Sequence, residues 1–461
     1  MPEDLPPVSG DAGAQAPNGL RRVLRNVAVL LMGRAVNAPL SLAQISLTIH
    51  LLGSYGFGLI AMMYAFARMI GDVVDFQSWQ VVLHYGVGPL TRGERRSFQR
   101  IVAFSLLLDL MSGLVGCVVG MGIAWFGTSL LGWPPGIRLV GTIYMVSVLF
   151  MTTATATGVL RLFDRYDRLA MQGTVATICR VIGVLAMLVF GSSVPRLAAI
   201  WMMAEATAWA FLSGFAIREL RVRNLLQGFS LSLRLTVADI VRGHIGRLHP
   251  GIWRFVFATN FTSTLALTFG HLGTLMVGCL LGPASAGYYR LASQIAAGVA
   301  KPVTLIQTTL YPEMARMWRD KATGRLYRLC IQIALSGGVV GCVILAVAFF
   351  LGHPLFRLLT GEANPQAVPV MLWLLAAEIV TVWGLPLEPL LFTTRRAGAA
   401  IKARALETLL FLPSLFFMIR WYGLGGAGPA TLLATIILIG LQLLLVLEAR
   451  PHDAARDAAP C

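Results

Sequence analysis

The stretch LLGSYGFGLIAMMYAFARMIGDVV (residues 51–74) decides the fold. A glycine-marked turn opens it, and no charge follows until Arg68 and Asp72. A helix rises about 1.5 Å per residue, so about 20 apolar residues cross a hydrocarbon core about 30 Å thick. The stretch therefore reads as an outer turn followed by a membrane-crossing helix. An echo of the turn, LLGPASAGYY, begins at Leu280 and shares four of ten residues with LLGSYGFGLI. At a constant offset of 229 residues, Gly53 aligns with Gly282, Gly58 with Gly287 and Asp72 with Lys301. The chain is thus a duplication, and each half opens with two spans joined by a short turn.

Apolar runs between charged or Gly/Pro-marked breaks extend this reading along all 461 residues. They fall at 27–50, 56–86, 101–126, 138–160, 171–191, 197–217, 255–281, 284–312, 329–353, 366–392, 405–420 and 425–447. The composition agrees: the chain is 57% hydrophobic and 13% charged, with a mean hydropathy of +0.74, against about 25% charge in soluble domains. The fold class expected is an all-α integral membrane protein of about 12 transmembrane helices. Its two six-helix halves are expected to be related by pseudo-two-fold symmetry along the membrane normal.

The net charge of +16 would suggest nucleic acid in a soluble chain. Its distribution gives another reason. Of the 37 Lys and Arg, 28 fall in one alternate set of connections and tails and four in the other. The basic set is expected on the cytoplasmic side, with both termini there. The domain expectation is a disordered cytosolic tail (1–25), an N-terminal bundle (26–217), a cytoplasmic linker able to form an interfacial helix (218–254), a C-terminal bundle (255–447) and a second tail (448–461). No nucleic-acid partner is expected; membrane lipids are.

The remaining five cations lie inside spans: Arg34, Arg68, Arg180, Arg290 and Lys301. A cation at the membrane centre costs roughly 2.5–3.5 kcal/mol on insertion scales, so such residues face partners or a wet cavity. Span one sets Arg34, Asn37, Ser41, Gln44 and Thr48 at steps of three and four, one helical face. Span two does the same with Arg68, Asp72, Asp75 and Ser78, span seven with Asn260, Thr264, Thr268 and His271, and span eight with Arg290, Gln294 and Lys301. Four polar stripes at equivalent places suggest a hydrophilic cleft. Each charge also has a structural reading. Arg68 and Asp72 stand four apart and can neutralise each other, Asp72 can pair with Lys301, and Arg180 with Glu205. Lys301 can snorkel to the inner surface.

Six cysteines form no metal spacing, and no GxxxxGKS phosphate loop is present, so no metal or cofactor is expected. The longest outer loop, GHPLFRLLTGEANPQA, has no constellation for acid–base or nucleophilic work. That weighs against a membrane-embedded polysaccharide ligase or polymerase.

The layout resembles the polysaccharide flippase branch of the multidrug/oligosaccharidyl-lipid/polysaccharide exporter superfamily. The resemblance covers nearly the whole chain. It is carried by residues 51–74, by GVLRLFDRYDRLAMQGTV, by WRFVFATNFTSTLALTFGHLGTLMVGCLLGPASAGYYRLASQIA and by LYPEMARMWRD. It implies a non-enzymatic flippase that works by alternating access. The implied cargo is a polyprenyl-diphosphate-linked oligosaccharide moving from inner to outer leaflet for exopolysaccharide, capsule or O-antigen synthesis. Polysaccharide polymerase and glycosyltransferases are the implied partners. The implied substrate-binding residues are Arg34, Arg68, Arg290, Lys301, Asn37 and Gln294. Candidates for ion or proton coupling are Asp72, Asp75, Glu205, His271 and Glu378. A drug/cation antiporter of the same superfamily is the alternative; it would place acids in spans one and seven, where this chain has Arg34 and His271. A peptidoglycan lipid flippase would usually carry two additional helices.

Overall fold

The computed structural model describes residues 16–242, 246, 250–267, 269–320, 322–361, 365–394 and 396–458. Side chains are not described at 16–35, 241, 261–267, 269, 299–309, 311–313, 315, 397 and 449–458. The tail expected at 1–25 falls outside the description up to residue 15, and from Ala16 the chain is already helical.

The described residues form helices and connections, with no strand among them. An apolar run in lipid has no water to satisfy its backbone, so every N–H and C=O must pair within the segment. Eight stretches are long and apolar enough to cross a membrane. Two of these, Val36–Thr91 and Gly398–Glu448, each contain a turn and so two passages. Ile252–Leu267, Phe269–Leu281 and Pro283–Arg319 lie where spans seven and eight are expected. The exteriors agree: Leu110, Leu114 and Val118 on one helix and Val339, Val343 and Phe350 on another are exposed at helical spacing. Such stripes need lipid against them.

The duplicated turn is repeated in the backbone. Gly53 adopts φ 69°, ψ 172°, and Gly282 adopts φ 87°, ψ 172°. Only glycine takes this region without strain, which is why both copies keep one.

Several spans are less regular than their composition suggests. Span two stops at Val74 and restarts at Ser78, and span four is built from Arg138–Tyr144, Ser147–Met151 and Ala154–Leu162. Span ten divides into Ala367–Gly384 and Leu387–Thr393.

The chain forms two compact units. The first holds residues 1–44, 63–130 and 134–271; the second holds 45–62, 131–133 and 272–461. One core of the first unit gathers Val82, Phe98, Val102, Leu160 and Leu212. A second lies around Val81, Ile101, Phe104, Ile252 and Val256. In the second unit Leu310, Met314, Leu326, Leu390 and Leu391 pack together. Its helices approach closely where glycine meets a large side chain, Gly341 against Ile379 and Gly428 against Trp373.

Candidate functional site

The first unit contains a continuous ionic and aromatic cluster. Tyr64, Arg68 and Asp72 stand at steps of four on the helix that follows the Gly53 turn, so they share a face. Arg68 reaches Asp72 at 3.7 Å. On its other oxygen Asp72 meets His271 Nε2, also at 3.7 Å. Both distances exceed a direct hydrogen bond and remain within ionic range. The Asp72 side chain is only 8% exposed, whereas that of Arg68 is 33% exposed.

Tyr64 connects this triad to a second pair. Its ring stands edge-on to His271 at 6.4 Å and edge-on to Trp201 at 5.2 Å. The Arg180 guanidinium lies over Trp201 at 4.3 Å and over Tyr64 at 5.3 Å. Arg180 forms an ion pair with Glu205 across helices Tyr166–Phe190 and Val194–Val222. Arg180 is therefore paired with a carboxylate and flanked by two aromatic faces, the pairing with Glu205 that the sequence offered it. Glu205 and Asp75 also act electrostatically on Arg68. Two arginines thus face three carboxylates, with His271 among them.

Below Asp72 the helix breaks. Gln77 sits at φ 51°, ψ 40°, a left-handed conformation that costs a non-glycine residue of order 1–3 kcal/mol. Asp75 holds it: the Gln77 backbone N–H donates to Asp75 Oδ1 at 2.9 Å, and Gln77 Nε2 donates to Oδ2 at 3.1 Å. Asn260 Nδ2 donates to the carbonyls of Val73 (3.2 Å) and Asp75 (2.9 Å), which the break leaves without helical partners. Asp109 serves the restart. Ser78 Oγ donates to Asp109 Oδ1 at 2.5 Å, and the Thr155 backbone N–H donates to Oδ2 at 2.7 Å. One buried carboxylate therefore sits at the start of both Ser78–Thr91 and Ala154–Leu162, where unpaired N–H groups favour an anion.

The other sequence candidates divide between the units. Asn37 lies in the first and is part-buried, its Oδ1 without a hydrogen-bond partner among the described residues. Arg34 lies on the same helix, but its side chain is outside the described residues. Arg290, Gln294 and Glu378 lie in the second unit, all part-buried; Arg290 and Glu378 both act electrostatically on buried Tyr289. Lys301 lies on Pro283–Arg319 with its side chain outside the description, as do the side chain of Thr264 and the whole of Thr268. Among the described residues no cluster of three His, Cys, Asp or Glu could hold a metal.

Tyr64, Trp201 and Asp109 were missed as members of this constellation. Tyr64 did carry a signal, since it extends the Arg68–Asp72 stripe by one turn toward the Gly53 turn.

No family model matches the sequence. The chain is 29% identical over 352 residues to the inner membrane protein YghQ of Escherichia coli strain K12, covering 76% of this chain and 96% of that one. It is 22% identical over 239 residues to an uncharacterized membrane protein in the cps region of Klebsiella pneumoniae, about half of each chain. Among solved structures, an inward-facing MATE family multidrug resistance transporter of the MOP superfamily matches with TM-score 0.70 at 10% identity, covering 94% of this chain and 100% of that one. The lipid II flippase MurJ, in an inward closed conformation, matches with TM-score 0.66 at 12% identity, over 91% and 87%. This chain is a multi-pass membrane protein with the fold of the MOP-superfamily transporters.

Proposed function

We propose that the protein is an inner-membrane flippase for polyprenyl-diphosphate-linked oligosaccharide, acting in the synthesis of a surface polysaccharide. The observation that carries this reading is the sign of the embedded charge. Within a fold shared with a lipid II flippase, the first two spans hold Arg34 and Arg68, and span eight holds Arg290 and Lys301. A diphosphate needs charge-assisted donors, and arginine offers them as a rigid fork. Asn37 and Gln294 add neutral donors suited to sugar hydroxyls. The similarity to a cps-region protein supports a polysaccharide pathway, with a polymerase and glycosyltransferases as neighbours in it.

A basic cleft lowers the cost of carrying the headgroup through hydrocarbon while the prenyl tail stays in lipid. Asp72 and His271 are the coupling groups we favour, because one carboxylate there serves both an arginine and a titratable imidazole. Asp75 and Glu205 set the field around them, and Glu378 is the candidate in the second unit. This reading puts both termini and the basic connections on the cytoplasmic side.

The test is translocation of a labelled undecaprenyl-diphosphate oligosaccharide in proteoliposomes, beside efflux of a cationic dye. The flippase reading expects the first and not the second. Dye efflux without lipid-sugar movement would establish the antiporter alternative.

A further inference from the structure

The connection between the two sequence halves contains the helix Phe229–Val241, whose polarity is inverted. Its polar side faces the protein. Ser232 and Thr236 are buried. Ser232 Oγ donates to Gln99 Oε1 at 2.8 Å, and Gln99 Nε2 donates to the carbonyls of Leu225 (2.6 Å) and Gln227 (2.9 Å). Asp239, the only acid on the helix, pairs with Arg100. Phe229 and Ile240 complete the docked side by packing on the two cores of the unit.

The opposite side is apolar and basic. Leu231 and Leu235 are 53% and 45% exposed, and Val237 is also exposed. Arg234 and Arg242 are exposed between and beyond them, with no acid partner among the described residues. A helix facing water would carry the reverse pattern. Leucines pointing away from the protein need an apolar medium, and the arginines beside them need an anion. An interfacial helix meets both conditions, with leucines among acyl chains and guanidinium groups at the headgroups. Its position fits this: it starts at Phe229, seven residues after the membrane-length helix Val194–Val222 ends.

We propose that Phe229–Val241 is a docking surface for anionic lipid, with Leu231, Leu235 and Val237 inserted in the leaflet and Arg234 and Arg242 holding acidic headgroups. The surface is independent of the cargo proposed above. The neutralised Asp239 leaves the helix with a net positive face, and hydrogen bonding through Gln99 fixes that face relative to span three. Each arginine near an anionic surface is worth about 1 kcal/mol, or about five-fold in local enrichment.

The experiment uses the full chain in proteoliposomes of phosphatidylcholine, with or without phosphatidylglycerol. A photo-crosslinking p-benzoylphenylalanine replaces Leu235, and adducts are identified by mass spectrometry. The expected result is lipid adducts, with phosphatidylglycerol enriched several-fold over its bulk fraction and the enrichment lost in Arg234→Gln/Arg242→Gln. Protein-only adducts would show that a second copy of the chain covers this face. Full reaction of Leu235→Cys with a membrane-impermeant thiol reagent, above that of the parent chain, would show that water does. Lipid adducts without phosphatidylglycerol enrichment would overturn the anionic specificity. Any of these three results overturns the proposal as stated.

Discussion

Gly58 and Gly287, 229 residues apart in sequence, pack backbone against backbone inside the second unit. A Cβ added to Gly287 would come within 2.6 Å of the Ser54 carbonyl oxygen. One added to Gly58 would overlap the carbonyl of Pro283, which stands 229 residues after Ser54. The contact is reciprocal: each turn offers the same carbonyl to the same glycine of the other. A local two-fold therefore relates the duplicated turns.

Gly58→Ala and Gly287→Ala should each destabilise by about 1–3 kcal/mol, because the obstacle is backbone and cannot rotate away. Melting of the purified protein in detergent measures this. Gly122→Ala is the control, since nothing lies within 4 Å of the added methyl. Equal melting temperatures for all three variants would remove the close approach as a stabilising feature.

The Arg180–Glu205 pair makes a second prediction. Both side chains are largely buried, so Glu205→Ala leaves a buried guanidinium without its carboxylate, beside the Trp201 and Tyr64 side chains. The expected loss is about 3–5 kcal/mol, with much of it recovered in Arg180→Met/Glu205→Leu. A double-mutant cycle on thermal stability reads the coupling. Additive losses would show that the pair does not act as a unit.

These examples mark how far the sequence could be read. The span number, the duplicated turn and the four-residue spacing of Arg68 and Asp72 are local or periodic, so pattern alone exposes them. The break at residues 75–77 has no proline or glycine to announce it. It exists because Asn260 and Asp109, distant in sequence, satisfy the backbone groups that it frees. His271 and Asp72 meet for the same kind of reason, and helical periodicity cannot reveal a pairing made by tertiary packing. Arg180 and Glu205 were legible as charges in adjacent spans, while the rings of Tyr64 and Trp201 that enclose the guanidinium were not.

Asp109→Ala should weaken the restart of both broken spans at once. It removes the acceptor for Ser78 Oγ and for the Thr155 amide, both buried. Unmade buried hydrogen bonds cost about 1–3 kcal/mol each. Asn260→Ala is expected to cost less, because Asn260 is only part-buried and water can replace it at the Val73 and Asp75 carbonyls. Thermal stability should rank wild type above Asn260→Ala above Asp109→Ala; the opposite order would contradict the assigned roles.

His271→Gln should retain the fold and change how translocation responds to pH. Glutamine keeps a polar side chain near Asp72 but does not titrate between about pH 5 and 8. Translocation by the parent protein is expected to vary across that interval and that of His271→Gln to be flat, with Asp72→Asn losing the response as well. Identical pH profiles for parent and variants, at equal abundance, would remove the pair from coupling.

Arg34→Ala should lower lipid-linked oligosaccharide translocation without lowering protein abundance. No acid lies within a helical turn of Arg34 in sequence, in contrast to Arg68 with Asp72. A cation engaged with the cargo contributes to transport, whereas one engaged with a carboxylate contributes to folding. A hydrogen bond to a charged group is worth about 1.5–3 kcal/mol, so loss of one phosphate contact should weaken cargo affinity by about ten- to a hundred-fold. Arg34→Lys should recover part of this by restoring the charge without the fork. Reconstituted translocation at several cargo concentrations separates lost affinity from a slower cycle. Unchanged transport by Arg34→Ala would exclude this arginine from the cargo path and move the role to Arg290 and Lys301.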